Sequence, residues 1–571
     1  MKSLSASRGF SIVYYDDYDK VYKIGTPPPD PPAGPGGGTD FGNLYLVGYA
    51  QTIFSDSNKE GSSVSLSLGG TTAAYSHNFE SYDSHENTNM ISYVFSHELD
   101  PVVAASSNDS FRYMNRGIER AVGYNQTTVK GFGSDITMSS NGLYMIVGTL
   151  GNQAYIYNRS DRTLNWIFRK SITFTTGYGA GSTVDMSTMA HQGSYGHWFV
   201  TAAPYADLAY TNQGAVYLFQ ESFGNFWINR SNVSTNEMVG RSKNDRIGIT
   251  KNGLAISSQG TTVAVGAPHG KNADELFDSY NSSTGETKEG LTEQKIGRAD
   301  NQYFDNGYVI VGDTWDYFNL NWASSYHQTN GYRSFLECPR KNTLETEASS
   351  RKTEFGYSVH IGQNKDAAAL EVGNEHYDQY LIVGAPNVRP AGNERNQVCT
   401  GMVFVYKKTA KKLLRPKHHY GVINPGAAGG ENVDWELYAT IAPVYENVGF
   451  EPWRFGHDVF ITHDGATVVV ASPGYGQENG NTSGKLWIYT YNAATQSYNL
   501  ASAIRGTTID STGHDTKSTY KNLSVSEDIS VSYNADLILA GCPETQTTED
   551  LPGYEAGVNS GHVQLYSPTP L

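Results

Sequence analysis

The chain has 571 residues, and its 57 acidic against 41 basic side chains give a formal charge of −16. A surplus of that size excludes general nucleic-acid binding, which works by neutralising phosphates. No apolar run reaches membrane-spanning length and no charged-then-apolar leader opens the chain, so neither membrane insertion nor general secretory export is expected.

The first 39 residues differ from the rest. Phe10 to Tyr15 and Lys20 to Ile24 are strand-like runs joined by Asp16-Asp17-Tyr18-Asp19, which predicts a small hairpin. A lone hairpin is marginal in water, so residues 1–25 either stay disordered or, on the better reading, act as an anchor that docks on a protein partner in a larger assembly. Phe10, Ile12, Tyr14, Tyr22 and Ile24 are the expected anchoring side chains. Residues 26–39 (TPPPDPPAGPGGG and one more) read as a linker, stiff polyproline and then a glycine swivel. At about 3.1 Å per extended residue it can hold the hairpin some tens of Å from the remainder of the chain.

From residue 40 onward one grammar recurs. Phe-Gly or Tyr-Gly opens a strand, an Asn-Gly or Asp-Gly turn leads to a second strand ending in Gly-Ala-Pro, and after a loop comes Gly-x-Val-Tyr-x-Tyr. The cleanest copy is Phe455 to Tyr489, with its turn at Asp464-Gly465, the strongest local hairpin signal in the chain. Others begin at Phe132-Gly133, Tyr178-Gly179, Arg246, Phe355-Gly356 and Leu523, and a worn copy runs from Ser62 to Phe95. Three short strands cannot bury a face alone, so seven such units predict radial repetition in one structure, with an array of β-sandwiches as the alternative. Tyr566 lies five residues from the end of the chain, which leaves the seventh unit short of a fourth strand. Asn43 to Tyr49 is strand-like and is expected to supply it, closing the ring.

The repeated Phe-Gly and Gly-Ala-Pro anchors resemble the FG-GAP repeat family of integrin-α-type propellers over residues 40–571. The resemblance implies an all-β fold, a seven-bladed β-propeller with an extended N-terminal arm. Family members often carry D-x-D-x-D-G calcium loops between strands 1 and 2. The equivalent segments here hold one acid or none, so the calcium-free microbial and viral variety is the nearer likeness, with no metal and no cofactor expected. The segment nearest to a cage, Gln363 to Gln379, carries Asp366, Glu371, Glu375 and Asp378 at spacings that do not match.

Loop lengths give the blades two unequal faces. The loops after each Gly-Ala-Pro emerge together and are long, whereas the strand 1–2 turns opposite are mostly tight. Elaborated loops on a rigid scaffold are where binding concentrates. Tyr205, His269, Arg389, Tyr475 and Tyr554 lie in those loops and are the expected ligand-binding residues, for a surface glycan or protein receptor. On the opposite face Lys407 to Asp434 forms a basic arm, read either as a contact for an anionic partner or as a solvated hairpin.

Chemistry is sparse. There is no G-x-S-x-G elbow and no H-E-x-x-H, and Gly266 to Lys271 lacks the P-loop spacing. Asp313 and Asp316 could serve as paired carboxylates, but a solvated strand-end pair is the better reading. Cys338, Cys399 and Cys542 fit no metal motif. Cys542 takes the alanine place of a Gly-Ala-Pro, and a Cys338–Cys399 pair stays open. The sequence therefore predicts a non-enzymatic recognition propeller tethered by its arm, in a virion or phage tail assembled in the host cytoplasm and used for attachment. The alternatives are an extracellular or cell-surface adhesion or glycan-binding propeller, and a glycan-active enzyme.

Overall fold

The computed structural model describes residues 13–16, 21–24, 45–50, 58–80, 90–99, 131–187, 196–229, 238–270, 280–281, 286–287, 306–313, 333–339, 353–362, 379–388, 400–408, 435–444, 453–475, 484–505, 528–542 and 562–567, with short gaps at 176, 209, 223–225, 241–242, 259 and 261. Among these residues there is no helix. The repeats are seven antiparallel sheets arranged as a β-propeller. Blade 1 shows three strands among the described residues, Asn58–Leu66, Thr72–Glu80 and Met90–Glu98. Blades 2 to 6 have four each, with innermost strands Ile136–Met138, Val184–Met186, Leu254–Ile256, Ser358–Ile361 and Val459–Ile461. Blade 7 runs Asp528–Val531, Ile538–Cys542 and His562–Ser567.

The fourth strand of blade 7 is Tyr45–Ala50, antiparallel to His562–Ser567 with Leu46 opposite Tyr566. The expected closure is present, and it removes the open edges that a last blade without its outer strand would leave. The N-terminal hairpin pairs Val13–Asp16 with Val21–Ile24, Tyr15 facing Tyr22. Its first strand lies alongside Tyr45–Ala50, so the hairpin sits beside blade 7 and not tens of Å away. The outer backbone edge of that strand gives it a surface to run along.

The core is divided among the seams between blades. Phe404 and Phe355 pack with Val311 and Leu381 between blades 4 and 5, and Trp487, Phe455 and Val403 between blades 5 and 6. The ring-closing seam holds Val64, Leu66 and Tyr75 of blade 1 against Leu539, Val563 and Leu565 of blade 7. Each blade is thus buried by its neighbours, and no unit has a core of its own.

The motif glycines have one physical reason. The carbonyl of an opening glycine lies against the second strand of the preceding blade. A Cβ added at Gly148, Gly266, Gly384 or Gly541 would strike the carbonyl oxygen of Gly181, Gly356, Gly456 or Gly61. Blade 3 therefore opens at Ala180-Gly181, two residues beyond the Tyr178-Gly179 read from sequence, and Thr149 donates to Gly181 at 2.8 Å. Since backbone sits on backbone there, Gly384→Ala is expected to cost about 1–3 kcal/mol. Urea unfolding measures it, and an unchanged midpoint would show that the seam can spread.

The strand 1–2 turns share a second device. Ser67, Ser139, Ser257, Thr462 and Ser532 end the innermost strands, and each hydroxyl accepts the amide that opens the next strand. Asp464-Gly465 does turn the chain, but inside a four-residue loop closed by Thr462 N to Thr467 O at 3.0 Å, not as a two-residue hairpin. Gly465 takes φ 68°, the left-handed place that glycine fills without strain.

Candidate functional site

Two regions gather polar chemistry, the central channel and the long-loop face. The channel is a cavity of about 140 Å³ lined by the innermost strands of all seven blades. The inner edges of these strands have amides without sheet partners, and at six of the seven junctions one of them is met by the neighbouring blade. Asp135 accepts from Val184 N at 2.7 Å, Asp185 from Ile256 N at 2.8 Å, Asp458 from Ile529 N at 2.7 Å and Asp528 from Val64 N at 2.7 Å. At the remaining junctions Val359 N donates to Asn252 O, Ile461 N to His360 Nδ1 and the Ser63 hydroxyl to Asp135. Seven junctions have seven clasps.

Burial pushes the Asp135 and Asp458 carboxyls well above the usual carboxylate range, and Asp185 to about 6. One cation answers them. Lys251 of blade 4 reaches across the channel to Asp528 of blade 7 at 2.8 Å and donates to Ser62 O of blade 1. It also lowers Asp135 and Asp458 by its charge. With its amides capped and its acids faced by a lysine, the channel reads as the hub that holds the ring. Sequence reading missed it, although the signal was there in the Phe-Gly-x-Asp spacing of Asp135 and Asp458.

Large apolar side chains stand exposed on outer strands, at Ile167, Phe168, Leu437 and Leu500, and again on the long-loop face. Tyr205 is 40% exposed, Leu208 36% and Tyr210 48%, all in the loop after the second strand of blade 3, and Leu150 of blade 2 is 55% exposed. Asn152 of blade 2 accepts from Gly179 N at 2.8 Å, which ties the two blades together beside the patch. The blade 3 loop is zipped to the opening of blade 4 by Asn244 N to Thr211 O at 2.9 Å and Arg246 N to Asn212 O at 3.0 Å. Asn212, Asn244 and Arg246 all take positive φ, at 51°, 63° and 49°, so the loop pair is held in a shape that ordinary residues resist. The Arg246 guanidinium stacks over the Tyr205 ring at 5.5 Å.

The five residues expected to bind ligand have separate fates. Tyr205 is exposed at the centre of this patch, and His269 is half-buried in blade 4. Tyr475 is fully buried, edge-on to Trp453 and Trp487 with Lys485 over its ring, so it serves the core between blades 5 and 6 and cannot meet a ligand. Its position in a loop gave no hint of the aromatic well beneath it. Arg389 and Tyr554 lie outside the described residues. So do Phe10 and Ile12 of the arm, whereas Tyr14, Tyr22 and Ile24 belong to the hairpin strands. Asp366 to Asp378, Cys399, Asp316 and most of the basic arm also lie outside. Lys407 and Lys408 at its root sit over Tyr380 and Trp435. Cys542 is fully buried, as its place in the motif predicts, and Cys338 is buried too.

No protein-family model matches the chain, and no curated protein does. Among solved structures, the crystal structure of a mitotic checkpoint complex matches over 88% of each chain at 10% identity, with a TM-score of 0.38. The seven-bladed propeller is read from the sheets themselves, and that architecture is consistent with a non-catalytic recognition role.

Proposed function

We propose that this chain is a non-catalytic recognition propeller of FG-GAP type, held by its N-terminal arm in a larger assembly and meeting its ligand with the long-loop face. A virion or phage tail used for attachment is the assembly that fits best, because proteins of that kind commonly carry a short anchor joined to a binding domain. The observation behind the reading is the contrast between the two polar regions: the channel groups are used up in clasps, whereas Tyr205, Leu208 and Tyr210 stand in solvent on a braced loop. Elaborated loops over a rigid ring are a place for recognition, and fold alone does not name the ligand.

The experiment separates arm from face. Removal of residues 1–38 is expected to abolish incorporation into particles, read by mass spectrometry of the purified assembly, while the protein stays folded. Shortening the 269–306 loop to a Gly-Ser turn should leave incorporation intact and reduce attachment. Incorporation without the arm would refute the tether.

A further inference from the structure

The repeat allows one position to be compared with itself. Two residues ahead of the opening glycine, blades 4, 5 and 6 carry Arg246, Glu354 and Arg454, all at positive φ between 49° and 55°. Both arginines stack on a tyrosine of the preceding blade, Tyr357 beside its opening glycine in one case and Tyr205 in its long loop in the other. Arg454 stacks over Tyr357 at 5.0 Å, as Arg246 stacks over Tyr205 at 5.5 Å. Each carbonyl accepts the amide three residues on, from His457 and from Ile249.

They differ in what answers the charge. Arg454 donates from Nε to His457 Nδ1 at 3.4 Å and pairs with Glu354 of the preceding blade at 3.7 Å. Arg246 has lost both partners. The place of His457 is Ile249, and the place of Glu354 in the preceding blade is Gly179, beside the Tyr205 ring. Among the described residues no carboxylate pairs with Arg246, and its sheltered Nε has no acceptor. A sheltered donor with no acceptor costs free energy until one arrives.

We propose that Arg246 receives an aspartate or glutamate side chain of a protein partner, which completes from outside the ion pair that Glu354 makes within the chain. This rests on the recognition reading above and names the chemistry of the ligand. A stacked guanidinium is a preset two-pronged donor for a carboxylate. Tyr205 and Tyr210 beside Arg246 are residue types enriched in protein hot spots, and exposed Leu208 adds apolar surface that favours a protein over a sugar. Exposed Lys243 adds a second positive charge to the patch, and exposed Asp207 has Oδ1 engaged by Asn212 N. Asp245, next to Arg246, is buried and accepts from the Tyr308 hydroxyl at 2.7 Å, so the acids nearest the two cations already have partners.

The test uses the full chain on an array of twelve-residue peptides with a central Asp or Glu among Leu, Val and Phe, each beside its Asn or Gln twin. The wild type is expected to prefer acidic members of a subset of pairs by about tenfold, the worth of one charged hydrogen-bonded pair. Arg246→Gln should lose that preference while its melting temperature stays put, because the guanidinium has no acceptor to lose. Arg454→Gln should keep the preference and melt lower. No acid-selective peptide, selectivity that survives Arg246→Gln, or binding only of 3′-sialyllactose run in parallel would each overturn the proposal. If the array fails while the shortened 269–306 loop still impairs attachment, the recognition reading stands and only the carboxylate is wrong.

Discussion

Deleting residues 1–50 is expected to lower the melting temperature by more than about 10 °C, whereas deleting residues 1–38 lowers it by a few degrees at most. The longer deletion removes Tyr45–Ala50, and with it the hydrogen bonds to His562–Ser567. At about 1 kcal/mol for each lost bond, plus the apolar surface uncovered, the cost is several kcal/mol. It also leaves His562–Ser567 as a bare outer edge beside the seam that holds Val563 and Leu565. The shorter deletion takes away only the hairpin that runs beside the closing strand. Differential scanning calorimetry of both truncations decides. Equal transitions would mean that the ring holds by its seven seams alone, with the terminal strand an ornament.

The second large effect belongs to Lys251. Lys251→Met is expected to destabilise the protein by about 2–4 kcal/mol at pH 7 to 8, by leaving Asp528 without its cation among two further acids. The pH dependence makes the cause visible. Burial already raises Asp135 and Asp458; backbone amides and the Lys251 charge lower them, so loss of Lys251 lifts both further. A carboxyl whose folded pKa is raised contributes stability that is fully present below its unfolded value of 3.8 and lost as pH rises through the folded value. The deficit of the variant should therefore be largest near pH 8 and shrink toward pH 5. Buried His360 and His457, both lowered to about 3, work the other way. They hold stability above pH 6.5 and lose it on acidification, in both proteins. Lys251 also lowers His457, so its removal eases that loss and narrows the deficit further at acid pH. Denaturant curves for the two proteins from pH 5 to 8 give the difference directly. A deficit constant across that range would mean that Lys251 acts through its methylenes and not its charge.

The ring has a consequence for recognition as well. Among the described residues the seams use residues of two blades and the channel clasps join neighbours, so the blades that carry the long-loop face brace one another. Arg246 draws on this, since its backbone is fixed by Asn212 and its ring partner by the close approach of Tyr205 to Gly179. Preset geometry of that sort lowers the ordering cost of binding.

The amino-acid sequence by itself determined the unit and the count. Asp-Gly and Asn-Gly turns, alternating β-branched runs and the repeated glycines act over a few residues, and those short-range rules are written in the chain. Strand closure by Tyr45–Ala50 could be foreseen for the same reason, since a last unit short of a strand and a spare strand near the start leave one economical pairing. Only the tertiary structure decided which loop residues are surface. Tyr205 and Tyr475 follow the same Ala-Pro or Ser-Pro motif, yet one lies over Gly179 at the rim and the other drops between Trp453 and Trp487, a difference made by neighbours far off in sequence. Lys251 looks like any turn lysine until seven blades close and bring Asp528, 277 residues further on, within 2.8 Å. Arg246 and Arg454 share one place in the repeat, and what separates them is the residue that the preceding blade sets beside each, a glycine in one case and a glutamate in the other.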